Sequence, residues 1–225
     1  MKSSKPADTK RHQPHLEREK VLDAALDLLN EVGFNNLTVR KLASRLEVKA
    51  AALYWHFQNK QDLVNEMAAR MFTREFDVDA RGMQEATWRQ ILEGMSKGMC
   101  DALMRYKDGA LVIASADLSK TNSFKGRHMV VEALTQKGFP PELVFTALFI
   151  IVRYTMGYVF EEQTDPRAKQ KGDAYNRVIN ELYEKHPIVI DELSRLREQI
   201  NKNPRYQFEQ GLELILDGIE KKITA

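Results

Sequence analysis

The sequence predicts an all-α protein, an N-terminal three-helix helix-turn-helix head followed by a C-terminal helical bundle. Three observations carry this. Apolar residues recur at three- and four-residue steps through most of the chain, the period of an amphipathic helix. Alternation at period two, the mark of a strand, is scarce. The 7 prolines and 11 glycines are few for 225 residues, which suits long helices.

Residues 1–15 have no apolar period. Lys2, Lys5, Lys10, Arg11, His12 and two prolines make them a flexible basic arm, either a plain tail or one that touches DNA. A helix is expected from Leu16 to Val32, with Val21, Ala25, Leu28, Leu29 and Val32 inward and Gly33 ending it. Its outer face, with Glu17, Glu19, Asp23, Asp27 and Glu31, is acidic, so its task is packing. Thr38 can cap a short helix whose apolar face is Leu42, Ala43 and Leu46. A turn near Glu47 to Lys49 leads to a second short helix, in which Val48, Leu53 and Phe57 can point inward. Neither helix is long enough to be stable alone, so the two must pack on each other. Asn59 caps the next helix, with Asp62 in its first turn. Leu63, Val64, Met67, Met71 and Phe72 carry it to about Phe76, out of the head and into the body.

The period is lost from Asp77 to Glu85, and a joint is expected there. Thr87 to Tyr106 is helical, with Trp88, Ile91, Leu92, Met95, Met99, Ala102 and Leu103 inward. Asp108-Gly109 turns the chain into a short helix over 110–116, and a polar loop is expected to Ser123. Phe124 to Lys137 forms another helix, closed by Gly138. Pro140 and Pro141 open a helix running to about Glu162, apolar on more than one side. Thr164 to Asp173 reads as a loop, and 174–185 and 189–200 as shorter helices. The last helix begins at Pro204, with Phe208, Leu212, Ile215, Leu216, Ile219 and Ile223 as one stripe. The expected division is an arm over 1–15, a head over 16–62 and a body over 63–225.

Composition excludes several classes. The single cysteine, Cys100, cannot form an internal disulfide and fits a reducing compartment. No run of 18 apolar residues and no apolar leader appear, so a cytoplasmic protein with no membrane partner is expected. No glycine-rich phosphate loop, HExxH string or His/Cys cluster occurs, and the five histidines are scattered. The protein is therefore expected not to be an enzyme, and neither cofactor nor metal is expected. Residues 1–60 hold 11 Lys/Arg against 7 Asp/Glu, a net +4, and the remaining residues 23 against 25, a net −2. A basic head on a slightly acidic body fits phosphate contact by the head alone.

Gly33-Phe34, Thr38, Lys41-Leu42-Ala43, Val48, Leu53-Tyr54-Trp55-His56-Phe57 and Asn59-Lys60 together resemble the DNA-binding head of the tetracycline-repressor (TetR) family. At lower density TWRQIL, Tyr106 with KDGA, QKGF, GYVFEEQ and FEQGLELILDGIEKK resemble its ligand-binding domain. The resemblance implies a ligand-responsive repressor that binds a near-palindromic double-stranded DNA operator as a homodimer. It makes Tyr54, His56 and Lys60 phosphate or sugar contacts. Thr38, Arg40 and Lys49 join them as DNA candidates, near the starts of the two short helices. Ala50, Ala51 and Ala52 stand where bases would be read, and offer only methyl contact. Trp55 is a further DNA candidate, although packing within the head, alongside Phe57, is the favoured reading of it.

The resemblance also implies that the helices near 140–162 and 204–223 pair with their copies in a second subunit. Their wide apolar faces fit that reading. In tetracycline-repressing members a histidine and a glutamate serve a drug-bound magnesium, while an asparagine and a phenylalanine touch the drug. Aligned on TWRQIL and KDGA, Met95, Met99 and Ile113 replace the asparagine, the phenylalanine and the histidine, and Glu161 matches the glutamate. A pocket of Met95, Met99, Ile113, Phe149 and Met156 suits a small hydrophobic or aromatic effector instead. The alternatives are a helical protein-interaction adaptor and a DNA-binding regulator that answers a protein partner.

Overall fold

Local capping chemistry sets several helix boundaries in the computed structural model, which describes residues 17–75, 80–117, 119, 124–164 and 187–224. The basic arm, the charged loop beyond Thr164 and the expected helix over 174–185 lie outside these residues. Helix α1 is Arg18–Val32, ended by Gly33 at φ 77°. Helix α2 is Val39–Arg45; the Thr38 hydroxyl accepts from the Lys41 amide at 3.2 Å, as expected of an N-cap. Helix α3 is only Ala50–Leu53, and α4 is Lys60–Glu75. Asn59 Oδ1 accepts from the Asp62 amide at 2.9 Å, and Asp62 accepts from the Gln58 amide at 3.1 Å. Two cap bonds thus fix the start of α4.

The turn after α2 is a Schellman motif: the Val48 amide donates to the Ala43 carbonyl at 3.0 Å and the Glu47 amide to Ser44 at 3.2 Å. The motif needs a left-handed residue, and Glu47 supplies it at φ 54°. The same motif recurs after α8 with glycine in that place, Gly138 at φ 73°. Glu47→Gly is therefore expected to stabilise the head by about 1 kcal/mol, the left-handed penalty of an L residue less glycine's extra chain entropy. Thermal unfolding checks this; a lower midpoint would contradict it.

The body is entirely helical among the described residues. Helix α5 is Ala80–Glu85, α6 Trp88–Met104, α7 Gly109–Ser115, α8 Phe124–Gln136, α9 Pro141–Thr164, α10 Pro187–Lys202 and α11 Tyr206–Ile223. The expected joint over 77–85 is corrected in part by α5. Its six residues are too few to show a period, and tertiary contact with α8 stabilises it, including a bond from Lys137 Nζ to the Gln84 carbonyl at 2.7 Å. A reciprocal capping box starts α6: Thr87 Oγ1 accepts from the Gln90 amide and Gln90 Oε1 from the Thr87 amide.

Helix α9 is the centre of the bundle. Val144, Ala147, Leu148, Ile151, Thr155 and Val159 are buried against α6, α7, α8 and α11. Its most apolar 18-residue stretch, with mean hydropathy 1.8, is long and apolar enough to cross a membrane by length and composition; packing on four helices explains one side of it. Tyr154 stacks on Phe208, ring centroids 5.5 Å apart, and donates to the Phe208 carbonyl at 2.9 Å. Gly211 permits this, since a Cβ there would fall 2.1 Å from the Tyr154 hydroxyl. Cys100 is wholly buried in α6, and burial pushes its thiol up to about 11, which removes thiolate reactivity at neutral pH. One buried core runs continuously from Val21 through Met67 and Met71 to Ile219.

Candidate nucleic-acid interface and its link to the body

The helix-turn-helix forms because Leu42, Ala43, Leu53 and Phe57 are buried in one core with the α1 residues Val21, Leu22 and Ala25. That leaves Arg40, Lys41, Lys49, Tyr54, Trp55 and Lys60 exposed and His56 half-buried. Thr38 is exposed at the mouth of α2. Ala51 is exposed, and Ala50 and Ala52 are half-buried. Four exposed cations and three aromatic rings thus lie within a short span of chain, the composition of a phosphate-contacting surface.

The expectation that Trp55 packs within the head is corrected: it is 89% exposed, whereas Phe57 is buried. Helix α3 ends at Leu53, so residues 54–56 form a turn and Trp55 swings outward. Arg18 holds that turn. Its Nη1 donates to the His56 carbonyl at 2.9 Å, its guanidinium lies 5.0 Å from the Phe57 ring centroid, and Nη2 pairs with Glu66 at 3.1 Å. Lys60 Nζ lies 5.4 Å from the Phe34 ring centroid. Arg70 reaches Asp23 at 3.3 Å, so α1 and α4 are tied by ion pairs of both senses. Arg45 Nη1 donates to both Glu31 carboxylate oxygens, at 2.7 and 2.8 Å, and ties α2 to α1.

Helix α7 contacts the head at both of its ends. At its C-terminal end the Ser115 carbonyl accepts from Gln61 Nε2 at 2.8 Å. The buried Asn65 carboxamide oxygen accepts from the Asp117 amide at 2.8 Å and from Gln61 at 3.0 Å. At its N-terminal end the Lys107 amide donates to Asn30 Oδ1, and Asp108 Oδ2 accepts from the Phe34 amide, both at 2.8 Å. Sequence reading missed Gln61, Asn65 and Asp108 as connecting residues. Asn65 left one signal, a polar side chain among the apolar residues of α4.

Of the ligand candidates, Met99 and Ile113 are buried in the body core, and Met95 and Met156 pack partly buried against it. Next to Met95, the buried Ser96 hydroxyl bonds Thr155 Oγ1 at 2.7 Å across α6 and α9. Phe149 is 51% exposed and Glu161 is exposed, so neither is enclosed with the other four. Phe149 shares an outer face of α9 with Phe145, Ile150 and Phe160, all exposed.

Residues 21–67 match the family described as bacterial regulatory proteins, tetR family, and residues 82–223 match the tetracyclin repressor-like C-terminal domain. The class A tetracycline repressor from transposon 1721 of Escherichia coli is 34% identical over 209 residues, 92% of each chain. The structure of TetR (class A) in complex with 5a,6-anhydrotetracycline and magnesium superposes with a TM-score of 0.66 at 30% identity, covering 92% of this chain and 99% of that one. BioQ bound to its double-stranded DNA operator superposes with a TM-score of 0.63 at 25% identity, covering 91% and 98%. A head whose exposed aromatic and cationic residues crown a helix-turn-helix, joined to a helical body that matches the repressor C-terminal domain, places this chain in the TetR family of transcriptional regulators.

Proposed function

We propose that the protein is a transcriptional repressor that binds a near-palindromic operator as a homodimer and is released by a small hydrophobic or aromatic molecule. The exposed set of Arg40, Lys49, Tyr54, Trp55 and Lys60 about α3 carries the DNA reading. Tyr54, His56 and Lys60 engage the backbone, and the alanines of α3 leave base discrimination to Arg40, Lys49, Tyr54 and the shape of the DNA. Binding to DNA from beside its own gene should weaken with salt by several powers of concentration. Lys60→Ala should weaken binding to every sequence and make the salt slope shallower by about one. An unchanged slope removes Lys60 from the backbone contacts, and no salt-sensitive binding to any DNA ends the reading.

The outer face of α9 supports the dimer. Phe145 is 61% exposed there, and Leu214 on α11 is 73% exposed. Gly157 and Gly218 lie on the same faces with nothing within 4 Å of an added Cβ, so a partner helix can approach the backbone closely. A two-fold four-helix interface covers both faces.

A drug-bound magnesium does not fit the body. Ile113, buried and apolar, stands where the family's histidine would ligate, which leaves Glu161 alone as a matched donor. Met95, Met99, Ile113 and Met156 favour an apolar effector held by shape. Magnesium with tetracycline is therefore expected to leave the protein on its operator in a mobility-shift titration; release at micromolar drug would overturn the apolar reading.

A further inference from the structure

We propose that Gln163 is a positioning residue through which α9 sets the α6–α7 turn and, through that turn, the entry of the helix-turn-helix, by a route that does not pass through α4. The proposal deepens the regulator reading by naming a path from body to head.

Where α6 ends and α7 begins, carbonyls and amides lack intrahelical partners. The Gln163 carboxamide, in the last turn of α9, bonds three of the groups there at once, two of them carbonyls that also accept a backbone amide within the turn. Its Oε1 accepts from the Ala110 amide at 3.1 Å, and its Nε2 donates to the Leu103 carbonyl at 3.0 Å and the Tyr106 carbonyl at 2.9 Å. One amide orientation alone suits one donor and two acceptors, so the partners fix it. The turn is therefore registered to α9 from one side.

Its other side is registered to the head. Lys107 bonds Asn30 through its amide, Asp108 receives the Phe34 amide, and Lys107 Nζ reaches the Glu31 carbonyl at 3.5 Å. Gly33 makes the approach possible, because a Cβ there would lie 2.8 Å from Asp108 Oδ2. The segment so held, from Asn30 to Phe34, leads directly into α2. The turn between the two sets of bonds has little slack. Tyr106 is buried, Asp108 is in the left-handed region at φ 58°, and Gly109 has no room for a methyl group. Coupling passes through such tightly packed elements when both ends are bonded to them. The Gln61–Ser115 and Asn65–Asp117 bonds form a separate contact onto α4 and share no atom with this one.

Hydrogen exchange by mass spectrometry on the full chain tests the route without DNA or effector. Gln163→Leu should speed exchange about fivefold over residues 106–111 and also over 30–37, the loss expected when hydrogen bonds of ordinary strength are removed. Residues 113–117 should be unchanged. Asp108→Gly, which removes the acceptor and keeps the left-handed backbone, should speed 30–37, and the double variant should exchange there no faster than Asp108→Gly alone. Gln163→Glu, which keeps the acceptor and loses both donors, should repeat the pattern should the leucine variant fold poorly. Acceleration confined to 106–111, additivity at 30–37, or uniform acceleration through α8 and α9 would each overturn the proposal. Operator binding by the wild type, measured alongside, separates the two readings. Binding without coupled exchange removes this route alone, while coupled exchange without binding removes the regulator reading alone.

Discussion

Gly109→Ala is expected to destabilise the protein by about 3 kcal/mol, the upper range for an overpacked site. The added Cβ would fall 2.3 Å from the Leu103 carbonyl oxygen and 3.2 Å from Met71 Cε. The methionine can move; the carbonyl is backbone at the end of α6 and already accepts from Gln163. Relief requires the α6–α7 turn to shift, which strains its bonds to Asn30 and Phe34. At about 3 °C per kcal/mol for a chain of this size, the unfolding midpoint should fall by roughly 10 °C. Gly94→Ala, exposed on α6 with open space around it and off the proposed dimer face, serves as the control and should not lower the midpoint. Equal melting of wild type and Gly109→Ala would mean that the close approach at this turn is not a constraint.

Phe145→Arg combined with Leu214→Arg is expected to give a folded monomer. Both side chains are largely exposed in the single subunit, so the charges cost the isolated chain little. In a two-fold interface each would be buried against apolar surface, an unpaired burial that the interface cannot absorb. Light scattering should report one subunit, with the helical circular dichroism retained. Operator affinity should fall about a hundredfold or more, because two linked heads gain effective concentration that one head lacks. A dimer that survives both arginines would place the interface elsewhere.

Most helices were legible in the sequence because their causes are local. Thr38, Thr87, Asn59, Pro141 and Gly138 lie within a turn of the boundaries they set. The apolar stripe of α11 names its buried residues Phe208, Leu212, Leu216 and Ile219 directly. The TetR resemblance was legible in both head and body, and the comparisons show it. What was not legible depends on contacts between distant residues. Helix α5 exists through α8, and the direction of Trp55 depends on where α3 stops. Phe149 shares the helical period of both a pocket and an outer face, and only packing separates them. Asp108 and Phe34 are 74 residues apart, and Gln163 and Ala110 are 53 apart, distances over which no periodicity operates.

The three alanines of α3 bear on how such a regulator changes its target. Most reading helices are committed: a new base preference must first remove side chains that enforce the old one. Here positions 50–52 hold nothing beyond a methyl group, and none is fully buried. On the proposed DNA reading, glutamine, asparagine or arginine introduced there would add base contacts and displace at most a methyl contact. Redirecting the head to a new operator is then, on that reading, a matter of addition at these three positions.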